Sequence, residues 1–492
     1  MSSKNQILKT RLYVYTLLFL LNIIELTTYG GIMLLVDQKV DDTLLNKLKS
    51  VSTTFYLLST VVSQLFFNLF SQIPLVAGPI SETSVMVNDV MTTAYLENKD
   101  KFLVNGLVAI FLATLIYSLM SFVFIPFAKI LRRVPLSVSN GIMVGTGITQ
   151  FQIPLILFKP NNTVYICICV IVFIIFYLEK RFLFNHLSLG VSFLVSVIFY
   201  FFKKEDFYAK KVDFFSGINL FTNHGIKDLD FKVLIKLIPK IFSISLFCLL
   251  QLPVNLLSYE SFTKKRYNFS KELRTQGITN LLCSLCLFPV YFICPYSCIL
   301  FENGLSSIDA FCLVIVFLLI FPILNLVLKT VPYFVQSFFP LLIGCSMCYE
   351  YTLDAFDNSY LDLSITLLVA LISIKLPIFL SFLIGIILCY LLKLYLFLKH
   401  GENKIILENK PNFLYIKIQS YCLFDSVYKL DNIENKKIVI EFVKFYYFDM
   451  NCRNVLFRLN EKNKVVVVWK ENFFDLFTVN DFESAVLKID EE

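Results

Sequence analysis

Long apolar runs recur along this 492-residue chain, and they limit its fold more than any other feature. A helix needs about 20 mostly apolar residues to cross roughly 30 Å of hydrocarbon. Four segments meet or approach that length, namely Phe102–Phe127, Val164–Leu178, Phe311–Leu328 and Ile374–Leu398. Because the core of a water-soluble domain does not repeat such runs, the sequence predicts an α-helical polytopic membrane protein.

Composition supports the bilayer as the solvent of this chain. Hydrophobic residues make up 57% of the sequence and charged residues 16%, and the mean hydropathy is +0.71. The net charge of +7 comes from lysines and arginines at helix ends, a pattern of membrane topology that argues against nucleic-acid binding. The 13 cysteines lie mostly in apolar stretches without histidine partners, so we expect neither a disulfide framework nor a metal site.

Charges, prolines and polar clusters divide the apolar mass of residues 1–400 into about 14 candidate spans. Basic clusters precede the first span and follow the fourth, sixth, eighth and last spans. With an even number of spans all these loops lie on one side, and the positive-inside rule makes that side cytosolic. We therefore expect an integral protein of the plasma membrane or a vacuole-type membrane, surrounded by the lipid bilayer, with both termini in the cytosol.

Two of the candidate spans begin with a proline-interrupted segment. Ile73–Pro79 opens the third span, and Pro289–Pro295 opens the tenth span, seven spans later. Paired broken segments in corresponding halves indicate an inverted repeat in which unwound backbone lines a polar cavity. Two ordinary helices kinked by proline are the alternative interpretation.

After His400 the pattern changes from membrane helices to short strands. Phe413–Gln419, Lys437–Phe442 and Lys464–Trp469 are rich in β-branched or aromatic residues, and a helix-compatible stretch covers Asn451–Glu461. Alternating strands and helices predict a small cytosolic α/β domain over residues 401–492, directly after the membrane domain of residues 1–400.

Several short motifs, in their order along the chain, resemble the SulP family of sulfate permeases (solute carrier 26) with a C-terminal STAS domain. Gly78-Pro79 is similar to the family's entry to the third span, and Ile438–Leu456, with Asp449, is similar to the strand-turn-helix of the STAS domain. The stretch that leads into the ninth span is matched by Lys271, Glu272, Leu273, Gly277 and Asn280. Motifs of a fungal branch are similar to Asn22–Gly30, Ser81-Glu82 and Gln251–Asn255.

The resemblance implies two inverted repeats of seven spans, arranged as core and gate domains that work by alternating access. It places the substrate between the half-helices of the third and tenth spans, and it implies sulfate, chloride, bicarbonate or oxalate as usual substrates. A homodimer through the membrane and STAS-like domains is a further expectation. The STAS-like turn reads Asp449-Met450-Asn451-Cys452, without Ser or Thr at the phosphorylated position, so we expect it to support docking and folding.

The predicted binding site consists of the first turns of the two half-helices. Unsatisfied N–H groups and the helix dipole at a helix N-terminus attract an anion without a basic side chain. Glycine lets backbone approach a ligand, and proline fits a first turn because its missing donor is not needed there. One turn contains Gly78, Pro79, Ile80 and Ser81, and the other contains Tyr296, Ser297 and Cys298.

Carboxylates within the spans are also candidates, because charge is costly in hydrocarbon. Glu25 lies deep in the first span and Glu82 in the first turn of the third, whereas Asp89 and Glu302 fit helix ends in contact with water. Compared with the family, Gln251 replaces a carboxylate of the eighth span, and Glu302 replaces a basic residue. The predicted site also includes Glu25 and Gln251. With Glu82 in one half-site and Glu302 in place of a basic residue at the other, it is more acidic than a sulfate site should be.

The sequence therefore predicts a secondary active transporter of small inorganic anions. A carrier of basic or zwitterionic amino acids and an anion channel on the same fold are the alternatives. The sequence contains no phosphate-binding glycine loop, no histidine-based constellation and no metal-ligand spacing, so we expect neither enzymatic activity nor a cofactor.

Overall fold

Helices dominate the first 400 residues of the computed structural model. The structure describes residues 3–36, 42–126, 134–152, 162–182, 229–263, 265, 267–323, 333–424, 430, 433, 437–468 and 477–479. The helices are α1 (Ser3–Glu25, continued by a π-helical turn over Leu26–Gly30), α2 (Asp42–Phe70), α3 (Ser84–Glu97), α4 (Phe102–Val123), α5 (Leu136–Gln150), α6 (Asn162–Phe182), α7 (Phe231–Thr263), α8 (Phe269–Cys283), α9 (Cys294–Glu302), α10 (Ser307–Leu318), α11 (Tyr333–Asn358), α12 (Tyr360–Lys375) and α13 (Ile378–His400).

These helices agree with the predicted spans in position. A helix overlaps each span except the seventh, residues 186–202, which lies outside the described residues. Shorter apolar segments are Cys169–Glu179, within α6, and Ser307–Ile323, which begins with α10. Among the described residues, the segments long and apolar enough to cross a membrane are Leu8–Gly30, Lys47–Phe70, Phe102–Val123, Phe231–Pro253 and Leu380–His400. The chain thus carries the apolar helices of an integral membrane protein, as its sequence predicts.

The chain forms two compact units. The first comprises Met1–Ala128, Gly145–Tyr349 and Ile374–Phe379. The second comprises Lys129–Val144, Glu350–Ser373 and Leu380–Glu492, so it combines parts of four helices with the C-terminal strands. The change from helix to strand after His400 therefore lies within the second unit.

Glycines allow a close helix crossing in the first unit. A Cβ atom at Gly344 of α11 would lie 2.7 Å from the carbonyl oxygen of Gly147 in α5, and one at Gly147 would lie 3.0 Å from that of Gly344. Small residues at such crossings let two backbones approach, and van der Waals packing then holds helices together in lipid.

Substituting Gly344→Ala is expected to destabilise this crossing by about 1–3 kcal/mol, because the obstacle is rigid backbone. The apparent melting temperature in detergent measures the effect. Gly304→Ala is the comparison: a Cβ there meets nothing within 4 Å, and only the positive φ of +67° opposes it. Gly304→Ala should lose about 1–2 kcal/mol through its backbone conformation alone. An unchanged melting temperature in Gly344→Ala would contradict the close-crossing argument.

The C-terminal strands form one five-stranded sheet in the order β3-β4-β5-β6-β7. β3 pairs antiparallel with β4, and the remaining neighbours are parallel. One helix, α14 (Met450–Lys462), connects β5 to β6 and packs its apolar side, including Val455 and Leu456, against buried sheet residues such as Ile416 and Ile440. The strands are β3 (Lys404–Asn409), β4 (Leu414–Cys422), β5 (Lys437–Phe448), β6 (Lys464–Val468) and β7 (Phe477–Val479).

Asp449 forms the N-cap of α14. Its Oδ1 accepts the N–H of Cys452 at 2.9 Å, and its Oδ2 accepts the N–H of Phe424 at the end of β4. A capping carboxylate satisfies donors that a helix start leaves open, so this residue fixes the turn between β5 and α14.

The same turn contacts the start of α5, which belongs to the same unit. The Oδ1 atom of Asn451 accepts the N–H of Leu136 at 2.8 Å, and its Nδ2 donates to the carbonyl of Val134 at 2.9 Å. Asn358, at the end of α11, donates to the carbonyl of Phe448 at 3.3 Å. Polar contacts therefore join the sheet domain to helix ends within the second unit.

Candidate functional site

A two-stranded antiparallel sheet lies between the starts of two short helices. β1 (Ala77–Pro79) pairs with β2 (Val290–Phe292), with Gly78 opposite Tyr291. A 3₁₀ turn over Ser81–Thr83 follows β1 and leads into α3, and α9 begins two residues after β2. The two predicted broken segments are thus strand-to-helix units that face each other.

Backbone hydrogen bonds extend the pairing on both sides of the strands. The N–H of Ile80 donates to the carbonyl of Pro289 at 3.0 Å, and the N–H of Ile293 donates to that of Val76 at 2.7 Å. Ile80 and Ile293 are extended and precede the two helices without a side-chain cap. Both helix starts therefore depend on one shared piece of sheet for their position.

Gln64 of α2 satisfies the outer edge of β1. Its Oε1 accepts the N–H of Ala77 at 2.7 Å, and its Nε2 donates to the carbonyls of Leu75 at 3.0 Å and Ala310 at 2.8 Å. A strand edge inside a membrane has no water to bind, so its polar groups need protein partners. This fully buried amide supplies them.

Asn280 of α8 has the corresponding role at β2. Its Oδ1 accepts the N–H of Val290 at 2.8 Å, and its Nδ2 donates to the carbonyl of the same residue at 2.9 Å. Gln276, one turn earlier, also donates to that carbonyl and to the hydroxyl of Tyr117. The side chain of Asn280 thus makes the hydrogen bonds to Val290 that a neighbouring strand would otherwise make.

The other members of the α8 motif fix the helix itself. The carboxylate of Glu272 accepts the hydroxyl of Ser71 at 2.8 Å and the N–H of Gln72 at 2.9 Å. A Cβ at Gly277 would lie 3.0 Å from the ring of Phe122 in α4. The motif residues therefore have a structural role, because they position α8 so that Asn280 contacts β2.

Glu82 lies at the start of the α3 unit and is half-buried. The hydroxyl of Tyr291 lies 3.3 and 3.5 Å from its two carboxylate oxygens, and the hydroxyl of Ser81 lies 3.3 Å from one of them. Gln150 of α5 donates to the Glu82 carbonyl at 3.3 Å. Tyr291 of β2 thus connects the two strand-to-helix units through side chains as well as backbone.

Glu25 lies at the end of α1, just before the π-helical turn, and is buried. The hydroxyl of Tyr296 in α9 donates to its Oε1 at 2.9 Å. Glu25 and Glu82 also interact electrostatically with each other. Among the described lysines and arginines, none forms an ion pair with either carboxylate.

Two buried hydroxyl groups lie near these carboxylates. Tyr29, in the π-helical turn, and Tyr56, in α2, are fully buried, and neither hydroxyl has a hydrogen-bond partner among the described residues. Both tyrosines interact electrostatically with Glu25 and Glu82. A buried unpaired hydroxyl is costly unless water or a ligand pairs with it, so these two hydroxyls are candidate ligand contacts.

The remaining predicted residues have different surroundings. Gly78 packs against Ile293, because a Cβ there would lie 3.2 Å from the Ile293 side chain. Ser297 is fully buried; its hydroxyl donates to the Ile293 carbonyl and accepts the N–H of Val76 at 3.1 Å. Cys298 has its sulfur 4.0 Å from that of Cys294. Gln251 is buried on α7, where its Oε1 accepts the amide of Asn255 at 3.2 Å.

The structure thus brings Ser81, Glu82, Glu25 and Tyr296 into one polar group, with Pro79 and Ile80 forming its strand end. Ser297 bonds to the backbone of Val76 beside the sheet, and Gln251 bonds to Asn255 on its own helix. Sequence reasoning missed Tyr29, Tyr56, Tyr291 and Gln64. For Gln64 the available signal was its polar side chain within an apolar helix, which indicates a buried hydrogen-bonding role.

Comparisons with known proteins agree with this architecture. Residues 153–351 match the sequence model of the sulfate permease family, and this segment contains β2 and α9. No curated protein sequence matches the chain.

Solved structures extend the similarity over most of the chain. The transmembrane domain of BicA, a cyanobacterial bicarbonate transporter, has a TM-score of 0.56 at 15% identity, covering 79% of this chain and 98% of that one. Murine SLC26A9, an anion transporter in the inward-facing state, has a TM-score of 0.55 at 13% identity, covering 97% of this chain and 92% of that one. Another SLC26A9 structure gives 0.54 at 12% identity, covering 97% and 90%. The chain therefore contains a segment that matches the sulfate permease family model, within a fold similar to those of BicA and SLC26A9.

Proposed function

We propose that this chain is a secondary active transporter of small inorganic anions of the sulfate, chloride or bicarbonate type. The observation that carries the proposal is the pair of helix starts, α3 with its 3₁₀ turn and α9, held face to face by one buried sheet. Helix N-termini present N–H groups and the positive end of the dipole, which bind an anion without a basic side chain.

Buried hydroxyls would complete the binding site. Those of Tyr29 and Tyr56 are available to donate to a ligand, whereas those of Tyr291 and Tyr296 face Glu82 and Glu25. Each carboxylate can take up a proton, which would remove its charge when an anion enters. Gly78, Pro79, Ile80, Ser81, Glu82, Tyr296, Ser297, Cys298, Glu25 and Gln251 remain the site residues that we propose.

The proposed architecture has 14 spans in two inverted repeats of seven, with the core moving against the gate. We place the membrane domain at residues 1–400 and a STAS-like domain at residues 401–492, with both termini in the cytosol. The membrane would be the plasma membrane or a vacuole-type membrane, and the chain would form a homodimer. The equivalent roles of Gln64 in the second span and Asn280 in the ninth support the repeat.

A carrier of basic or zwitterionic amino acids is the second candidate. The electrostatic interaction of Glu25 with Glu82, and the missing ion-pair partner for either among the described basic residues, favour it. In this case an ammonium group would lie by the carboxylates while a substrate carboxylate faced the helix starts.

Uptake into proteoliposomes separates these candidates. We expect saturable uptake of labelled sulfate, chloride or bicarbonate and counterflow, which a channel would not show. Uptake of labelled arginine without uptake of any of these anions would overturn the anion proposal in favour of the amino-acid carrier.

The Glu82→Gln substitution is expected to lower the KM for the transported anion. A unit charge about 6 Å away contributes about 3 kcal/mol at an effective dielectric constant of about 20, so the KM should fall roughly ten- to hundredfold. Asp89→Asn is the matched control, because Asp89 lies on α3, which follows the 3₁₀ turn of Glu82, and it is exposed and paired with Lys240 at 2.6 Å. A higher KM in Glu82→Gln would instead indicate a cationic substrate.

A further inference from the structure

Two cysteines lie side by side in the first turns of α9. The sulfur atoms of Cys294 and Cys298 are 4.0 Å apart, and the two residues are one helical turn apart on the same face. Cys294 is buried and Cys298 is half-buried, so the pair is accessible from one side. Both sulfurs therefore already lie close to a common point between them.

That separation fits a metal ion held by both sulfurs. Metal–sulfur bonds of about 2.3 Å place two sulfurs about 3.8 Å apart at a tetrahedral angle and about 4.6 Å apart in a line. The observed distance lies between these limits. Among the described residues, no group of three His, Cys, Asp or Glu side chains could hold a metal ion. A bound ion would thus have to be satisfied by two ligands.

We propose that Cys294 and Cys298 form a binding site for a soft monovalent d¹⁰ cation, Cu(I) or Ag(I). Thiolates select such ions, and these ions accept two-coordinate geometry, whereas Zn²⁺ in proteins takes four ligands. On binding, each thiol releases its proton and forms one sulfur–metal bond, so one cation and two thiols give a bis-thiolate complex and two protons.

The position of the two cysteines on the helix stabilises the bis-thiolate complex. The bis-thiolate complex of a monovalent ion carries one negative charge, and it would lie at the N-terminal end of α9, where the dipole and open N–H groups stabilise negative charge. Glu302, one turn beyond Cys298, is exposed and lies at the far end of the nine-residue helix. Its charge would attract the incoming cation rather than bind it.

The thiol pair of Cys422 and Cys452 does not offer this combination. Cys422 and Cys452 interact in the core of the sheet domain, but both are fully buried. An ion bound at Cys294 and Cys298 would also connect the first two turns of a half-helix in the proposed transport site. We therefore infer that occupancy arrests transport, a consequence that rests on the proposed function, whereas binding itself does not.

Competition with a Cu(I) chelator tests the binding directly on the purified full chain. We expect Cys294→Ser and Cys298→Ser each to bind one Cu(I) fewer than the wild type, and X-ray absorption to show two sulfur ligands for that ion. Cys312→Ser is the control, because this half-buried cysteine lies on the neighbouring helix α10 and should leave the stoichiometry unchanged. Equal stoichiometry in all four proteins would overturn the site.

Transport provides the second readout. Ag(I) should inhibit uptake by the wild type and by Cys312→Ser, while inhibition of Cys294→Ser should need at least tenfold more Ag(I). Apparent melting temperatures without metal show whether each variant is folded. Loss of the bound ion with unchanged Ag(I) inhibition would confirm the site and contradict its effect on transport. If no protein transports any anion, the proposed function fails, and the chelator experiment still decides whether the site exists.

Discussion

The Asn280→Leu substitution is expected to reduce strongly both the amount of folded protein and the rate of transport. Leucine has a similar volume but leaves the N–H of Val290 without a partner and removes one of the donors to its carbonyl. A buried unpaired group costs about 1–3 kcal/mol, and more in a membrane, so we expect a loss of about 3 kcal/mol or more. Apparent melting temperature in detergent and uptake into proteoliposomes measure the two effects.

Two further variants make this test specific. Asn303→Leu changes the same residue type at the end of α9, where the amide donates only to the carbonyl of Ile299 in its own helix. Asn303→Leu should therefore lower the stability much less than Asn280→Leu. Gln64→Leu should behave like Asn280→Leu, because it opens the edge of β1 in the same way. If Asn280→Leu melted like Asn303→Leu, the amide would not be supporting β2.

Asn451→Ala is expected to separate the sheet domain from the helix ends of the second unit. The change removes both hydrogen bonds of this side chain to Val134 and Leu136. Each hydrogen bond contributes about 1 kcal/mol, and its loss costs more if the freed backbone groups are not reached by water. The free energy that holds the sheet to these helix ends should therefore fall by about 2–3 kcal/mol. Limited proteolysis should then release the C-terminal domain sooner, and the rate of uptake should fall.

Asn454→Ala provides the control for this prediction. Asn454 lies one turn along α14 from the cap, partly exposed and without a described contact to the helices. Asn451→Asp should fall between the two, because it keeps the acceptor for the N–H of Leu136 but loses the donor to Val134. Proteolysis at wild-type rates in Asn451→Ala would show that other contacts hold the domain.

Local signals in the sequence predicted the elements but not the contacts between them. Prolines and glycines marked both broken segments, and β-branched runs located β4, β5 and β6. The antiparallel pairing of Ala77 with Phe292 was beyond prediction, since it joins residues far apart in sequence. For the same reason the sequence could not show that the hydroxyl of Ser297 supports the backbone of Val76.

The sequence motif of α8 likewise did not reveal which residues its side chains contact. Its residues indicated a family resemblance, but their spacing could not reveal that Glu272 holds Ser71 and Gln72 while Asn280 holds Val290. Side-chain amides within apolar helices, such as Gln64, carry information of this kind. Their partners become visible only when the helices are placed in space.

The β1–β2 sheet also constrains how the protein is made. Residues 76–80 cannot complete their hydrogen bonds until residues 289–293 have been synthesised and inserted, because Ile80 donates to Pro289 and Val76 accepts from Ile293. During synthesis residues 76–80 therefore keep open backbone groups until that later segment is in place. Chains released early from the ribosome would keep this defect permanently, which would make them substrates for quality-control proteases before any transport site exists.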